Sequence, residues 1–131
     1  MRNPWKKLIA NVKISGRVWH IHKNKPKREV NITWQDLQKK FEEQGCKCHW
    51  FGIDVDPQDI FETHNPLAPS VDRLDNDKEY EIDNIVICCR LANLGKGNAP
   101  SSKFLQTAKD LKRRILRAAY AEYKDAKRIT T

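Results

Sequence analysis

The sequence predicts an α+β fold in which a short β-hairpin runs into a short helix, with flanking helices and a long helix at the C-terminal end. Three observations lead there. Two runs suited to strands, Ser70-Val71-Asp72-Arg73-Leu74 and Ile85-Val86-Ile87-Cys88-Cys89, are separated by a segment that opens on the turn-forming Asp75-Asn76-Asp77. Directly after the second run, Arg90 to Lys96 reads as a short helix that Gly97 stops. From an N-cap at Ser101 or Ser102, Phe104, Ala108, Leu111, Ile115 and Ala119 then fall on one helical stripe, with Lys109, Lys112, Arg113 and Arg117 largely off it. This basic helix is expected over 101–128, with its apolar face packed on the domain.

At 131 residues and 15.3 kDa the chain has the size of one domain, and 1–131 is read as a single one without repeats. In chain order, residues 1–28 read as a basic N-terminal arm. Val18-Trp19-His20-Ile21-His22 and Val30-Asn31-Ile32, rich in β-branched and aromatic residues, are expected as short strands on either side of a Lys/Asn/Pro turn. Thr33 and Asp36 are placed for a reciprocal N-cap. Trp34, Leu37 and Phe41 recur at helical spacing until Gly45, which predicts a helix over 34–44. Cys46 to Ile53 reads as strand and loop, followed by a turn-rich acidic stretch through Pro57, Pro66 and Pro69.

Composition narrows the function classes. No window approaches the roughly 20 consecutive apolar residues of a membrane-spanning helix, and the polar start, Met1-Arg2-Asn3-Pro4-Trp5-Lys6-Lys7, lacks the apolar region of a secretory signal. A cytoplasmic location is expected, with no membrane partner. Four cysteines, as Cys46-x-Cys48 and Cys88-Cys89, are too few and too clustered for a disulfide scaffold, which leaves free thiols or metal ligands. The net charge is +8 and is unevenly spread. Residues 1–28 carry nine Lys/Arg and no acid, residues 29–95 six against fourteen Asp/Glu, and residues 96–131 ten against three. Two basic ends around an acidic middle suit a protein that meets a phosphate backbone, with a cation between phosphate and acid. The plainer reading is solvated charge on the surface of a soluble domain.

Residues 69–98 carry the chemistry. The ordered series Asp72-Arg73-Leu74-Asp75-Asn76, then Tyr80, Asp83-Asn84-Ile85, Cys89, Asn93 and Lys96 resembles the core of the HNH, or His-Me finger, endonucleases, above all the phage-borne members that read DRIDN at its start. The resemblance covers about half the chain once Gly45 to Gly52 is included. It implies a ββα-metal finger and a metal-dependent DNA endonuclease hydrolysing phosphodiester bonds, in the host-cell cytoplasm if phage-encoded. The alternative is a non-catalytic DNA-binding protein that keeps the finger. By the same resemblance Asp72 and Asn93 are the ligands of one Mg²⁺ or Mn²⁺, oxygen donors that suit a hard cation. Asn84 would position the catalytic group across the hairpin loop, and Lys96 would touch a backbone phosphate, beside Arg90, Lys112 and Arg113 on the nucleic-acid face.

One departure stands out: the residue after the metal-binding Asp is usually His, and here it is Arg73, which stays protonated and is a poor general base. Arg73 is therefore expected to hold the attacked phosphate, with His64 in the upstream loop as a candidate base and a phosphate-bound water as the alternative. Some HNH proteins brace the finger with zinc on two Cys-x-x-Cys knuckles. Cys46, His49 and Cys89 fall where three such ligands would stand, but the fourth place is Ala92, so free thiols are the default and zinc is not expected. His20-x-His22 is expected on one strand face. Of the tryptophans Trp5, Trp19, Trp34 and Trp50, which offer rings for base stacking, Trp34 and Trp50 fit the core better.

Overall fold

A computed structural model describes residues 2–23 and 29–130, the side chains of 17–23 and 129–130 excepted. Its elements are α1 (Pro4–Lys23), α2 (Trp34–Glu43), β1 (Pro69–Arg73), β2 (Ile85–Cys89), α3 (Arg90–Lys96) and α4 (Ser101–Thr130), with 3₁₀ turns at Pro57–Phe61 and Ile82–Asn84. Among the described residues this is a mixed α+β architecture of four helices and one two-stranded antiparallel sheet. No described helix is long and apolar enough to cross a membrane.

The N-terminal segment departs most from expectation. What reads as a basic arm with a strand at 18–22 is one 20-residue helix. Its start is fixed by the Asn3 side chain, whose oxygen accepts from the backbone N–H of Trp5 at 2.9 Å, and by Pro4 in the first turn, where its missing N–H costs nothing. Trp5, Leu8, Ile9 and Val12 form a helical stripe, and all four are buried. That burial overrides the strand preference of Val18 to His22. The turn at 24–28 and the side chains of Trp19, His20 and His22 lie outside the described residues.

α2 forms as its cap predicts: the Thr33 hydroxyl accepts from Asp36 N–H, and the Asp36 carboxylate accepts from Thr33 N–H. Leu37 and Phe41 are its buried face, and the Phe41 ring lies 5.2 Å from that of Trp5. Val30 to Ile32 does not make a strand; it contributes one isolated bridge, Val30 to Tyr80. Cys46 to Ile53 is likewise a tight turn closed by a single bridge, Lys47 to Asp54. Gly45, at φ +73°, lets the chain leave α2 into this turn. Gln44 then fastens it to the sheet, donating to the Lys47 and Ile87 carbonyls and accepting from Ile87 N–H.

β1 and β2 pair with Pro69 opposite Cys89 and Arg73 opposite Ile85, so β1 begins and ends one residue before the expected Ser70–Leu74. β2 is buried along its whole length, as its unbroken apolar run requires. α3 follows without a loop. Two of its unpaired N–H groups are satisfied by the upstream chain, Arg90 to the Ala68 carbonyl and Leu91 to that of Pro66. α4 packs only by its first turns: Phe104 and Ala108 are buried, whereas every side chain from Leu111 to Arg128 is exposed. The expected packing of the full apolar stripe on the domain is thereby corrected, because the domain's aromatic platform, Trp50 and Phe51, reaches only as far as Phe104.

Candidate functional site

Asp72 sits in β1 opposite Val86 and retains 5% of its exposure. Both oxygens of its carboxylate have partners. The Trp50 indole N–H donates to Oδ2 at 2.9 Å, and Lys96 Nζ stands 3.4 Å from each carboxylate oxygen. Lys96, whose side chain is completely buried, also donates to the Arg73 carbonyl at 3.3 Å and to Asn76 Oδ1 at 3.4 Å. It projects from the last turn of α3 into the interior, under the Trp50 ring at 5.9 Å from its centroid. The expected phosphate contact of Lys96 is therefore corrected: an ammonium with no exposed surface cannot reach a nucleic-acid backbone.

The other residues of the series are tied down as well. Arg73 donates through one guanidinium nitrogen to the backbone carbonyls of Asn76 and Lys78, and its charge lies 5.2 Å over the Tyr80 ring. Asn84 organises the hairpin loop: its Nδ2 donates to the Asp75 and Glu79 carbonyls and its Oδ1 accepts from Asp75 N–H. Asn93 donates to Ser70 Oγ at 2.7 Å and to the Val71 carbonyl at 3.1 Å, one residue from Asp72. It lines a polar cleft of about 400 Å³ between α1 and β1, with Asn11, Ser15, Ser70 and Arg90; Asp72 does not line it. His64 is exposed on the loop before β1, with its backbone in the left-handed region at φ +62°.

A hard divalent cation shared by Asp72 and Asn93 does not fit this arrangement. Both oxygens of the single carboxylate already face a buried ammonium and Oδ2 also accepts an indole N–H, while Asn93 lines a different space. The sulfur groups also pair differently from the expected set of Cys46, His49 and Cys89. Cys46 is exposed, and Cys48 meets Cys89 instead: its sulfur accepts from the backbone N–H groups of Phe51 and Cys89, each at 3.4 Å. A hydrogen bond from the Cys89 thiol lowers the Cys48 pKa to about 6 against the opposing effect of burial, and the same bond, with burial, raises that of Cys89. Burial, with the Asp72 charge, pushes Cys88 well up. His49 packs edge-on against Trp50, and burial lowers its pKa; the Asp72 charge opposes that shift and Lys40 adds to it.

Of the expected nucleic-acid contacts, Arg90 and Lys112 are exposed, and Arg113 is exposed but ion-paired with Asp110. Sequence reasoning missed Trp50 and Asn76 as partners in the Asp72 network and Ser70 as the partner of Asn93. The available signal was Trp50, since a core indole needs an acceptor for its N–H. No family model, no curated protein and no solved structure matches this chain.

Proposed function

We propose that this chain is a DNA-binding protein that keeps a nuclease-type β1–β2–α3 unit as a scaffold and does not cut phosphodiester bonds. One observation carries the reading: the side chains on which cleavage would depend are spent on internal bonds. Metal-assisted hydrolysis needs a carboxylate open to a cation and a group able to take a proton from water. Asp72 instead holds Lys96 and Trp50, and Arg73, permanently charged, holds two loop carbonyls. Binding is supported by charge. α4 carries nine Lys/Arg against three acids, and its exposed length of basic surface suits the regular phosphate array of a duplex.

A metal-dependent DNA endonuclease is the second reading. It is favoured by Asn93 bonding Val71 next to Asp72, the neighbourhood that the resemblance expects of two ligands. Two measurements on the purified chain separate them. Fluorescence anisotropy with labelled duplexes is expected to show affinity that differs little between sequences and falls steeply with salt, each phosphate contact adding about −0.9 to the log–log slope. Supercoiled plasmid incubated with Mg²⁺ or Mn²⁺ is expected to stay intact. Cleavage that EDTA stops and Asp72→Asn abolishes replaces the first reading by the second, and absence of DNA binding refutes both.

A further inference from the structure

We infer that Lys96 is a built-in cation: its ammonium fills an oxygen site suited to a hard divalent ion, and taking it away opens a metal site at Asp72. This rests on the reading of the β1–β2–α3 unit as a scaffold and says what holds that scaffold together. Lysine is almost never fully buried unless paired, yet the Lys96 side chain has no exposure and is the largest wholly buried side chain among the described residues. What surrounds its nitrogen is four oxygens and no competing donor among the described contacts: both carboxylate oxygens of Asp72, the Arg73 carbonyl and Asn76 Oδ1, all at 3.3–3.4 Å. An anionic carboxylate, a backbone carbonyl and a side-chain amide oxygen are the donor types that Ca²⁺, Mg²⁺ and Mn²⁺ take.

The sequence also fixes the ammonium in place. Lys96 is the last residue of α3; Gly97, at φ +51°, turns the chain away immediately after it, and the Lys96 carbonyl accepts from Ala99 N–H at 2.9 Å. The stem is thus held at both its helix and its exit, and the charge is held in the interior. The nitrogen–oxygen distances exceed the roughly 2.7–2.9 Å of a tight charge-assisted bond and the roughly 2.0–2.6 Å of Mg²⁺ or Ca²⁺ to oxygen. Emptied of the side chain, the site has room for an ion that keeps some of its own water.

The test is Mn²⁺ uptake, read by electron paramagnetic resonance and by thermal unfolding, on the wild type, Lys96→Ala, Lys96→Met and Asp72→Asn. Lys96→Ala empties the site, whereas Lys96→Met removes the charge and refills the volume. The wild type and Lys96→Met are expected to take up no stoichiometric Mn²⁺. Lys96→Ala is expected to bind one ion per chain, with a midpoint raised by about 10 °C when Mn²⁺ is at about 100 times its dissociation constant. A wild-type Mn²⁺ site that Asp72→Asn abolishes overturns the inference, as does a folded Lys96→Ala that takes up none. Should Lys96→Ala be unfolded without metal, recovery of its circular dichroism on adding Mn²⁺ supports the inference and failure to recover refutes it. No DNA enters these measurements, so their failure leaves DNA binding standing, while plasmid cleavage by the wild type refutes the scaffold reading separately.

Discussion

Asp72 and Lys96 stabilise the unit only as a pair. Removing one partner leaves the other charge buried and uncompensated, so Asp72→Ala is expected to cost about 3–5 kcal/mol in urea unfolding, while Asp72→Asn combined with Lys96→Met recovers most of that loss. Trp50→Phe keeps an aromatic side chain but drops the N–H to Oδ2 and shrinks the buried ring, an expected loss of at least about 1.5–3 kcal/mol. His49 adds a pH dependence whose sign is fixed by its lowered pKa. The folded chain binds fewer protons there than the unfolded one, so the stability is fully present above pH 6.5 and is lost as pH falls toward the lowered value. Urea midpoints at about pH 7.5 and about pH 5.5, bracketing the imidazole range, should differ more in the wild type than in His49→Gln. Sequence made Asp72 and Lys96 visible as a ligand and a phosphate contact, each judged alone. That residues 24 apart in the chain would neutralise one another was not legible, because it depends on where α3 lands against β1.

Elements whose signals are local were readable, and those decided by distant burial were not. α2 declared itself through Thr33 and Asp36, and β2 and α3 through an unbroken apolar run and the Gly97 stop. Val30 to Ile32 failed as a strand because its backbone partner among the described residues is the loop around Tyr80, fifty residues on, and that loop offers one bridge rather than a ladder. α1 is the instructive case. Asn3-Pro4 and the spacing of Trp5, Leu8, Ile9 and Val12 signal a helix, but nine basic residues in 1–28 draw attention to charge instead of to that stripe. Two substitutions separate a structural α1 from a dispensable arm and test the α2 cap. Trp5→Ala is expected to cost about 3–5 kcal/mol, as for a large core aromatic, and Thr33→Ala about 1 kcal/mol, as for the loss of an N-cap. A Trp5→Ala protein with the urea midpoint of the wild type would return the segment to an arm.

At the scale of the whole molecule, charge and packing are divided between regions: the buried pair and the core occupy the compact part, and much of the net positive charge lies on a helix about 45 Å long. α4 is anchored by Phe104 and Ala108, and from Leu111 to Arg128 its side chains are exposed. Removing residues 113–131 therefore takes away six Lys/Arg and two acids, lowers the net charge from +8 to +4, and leaves in place every buried residue among those described. Two consequences follow from opposite terms. The midpoint of unfolding should move by only a degree or two, since exposed substitutions away from packed features stay within about 0.5 kcal/mol. The salt dependence of DNA binding should flatten, by about 3 units of log–log slope if half of the six cations meet phosphates. An unchanged slope would move the proposed DNA-binding surface off α4. A large loss of stability would instead mean that Ile115 and Leu116 are covered in solution by a second copy of the chain, which sedimentation of the full-length protein at several concentrations would then reveal.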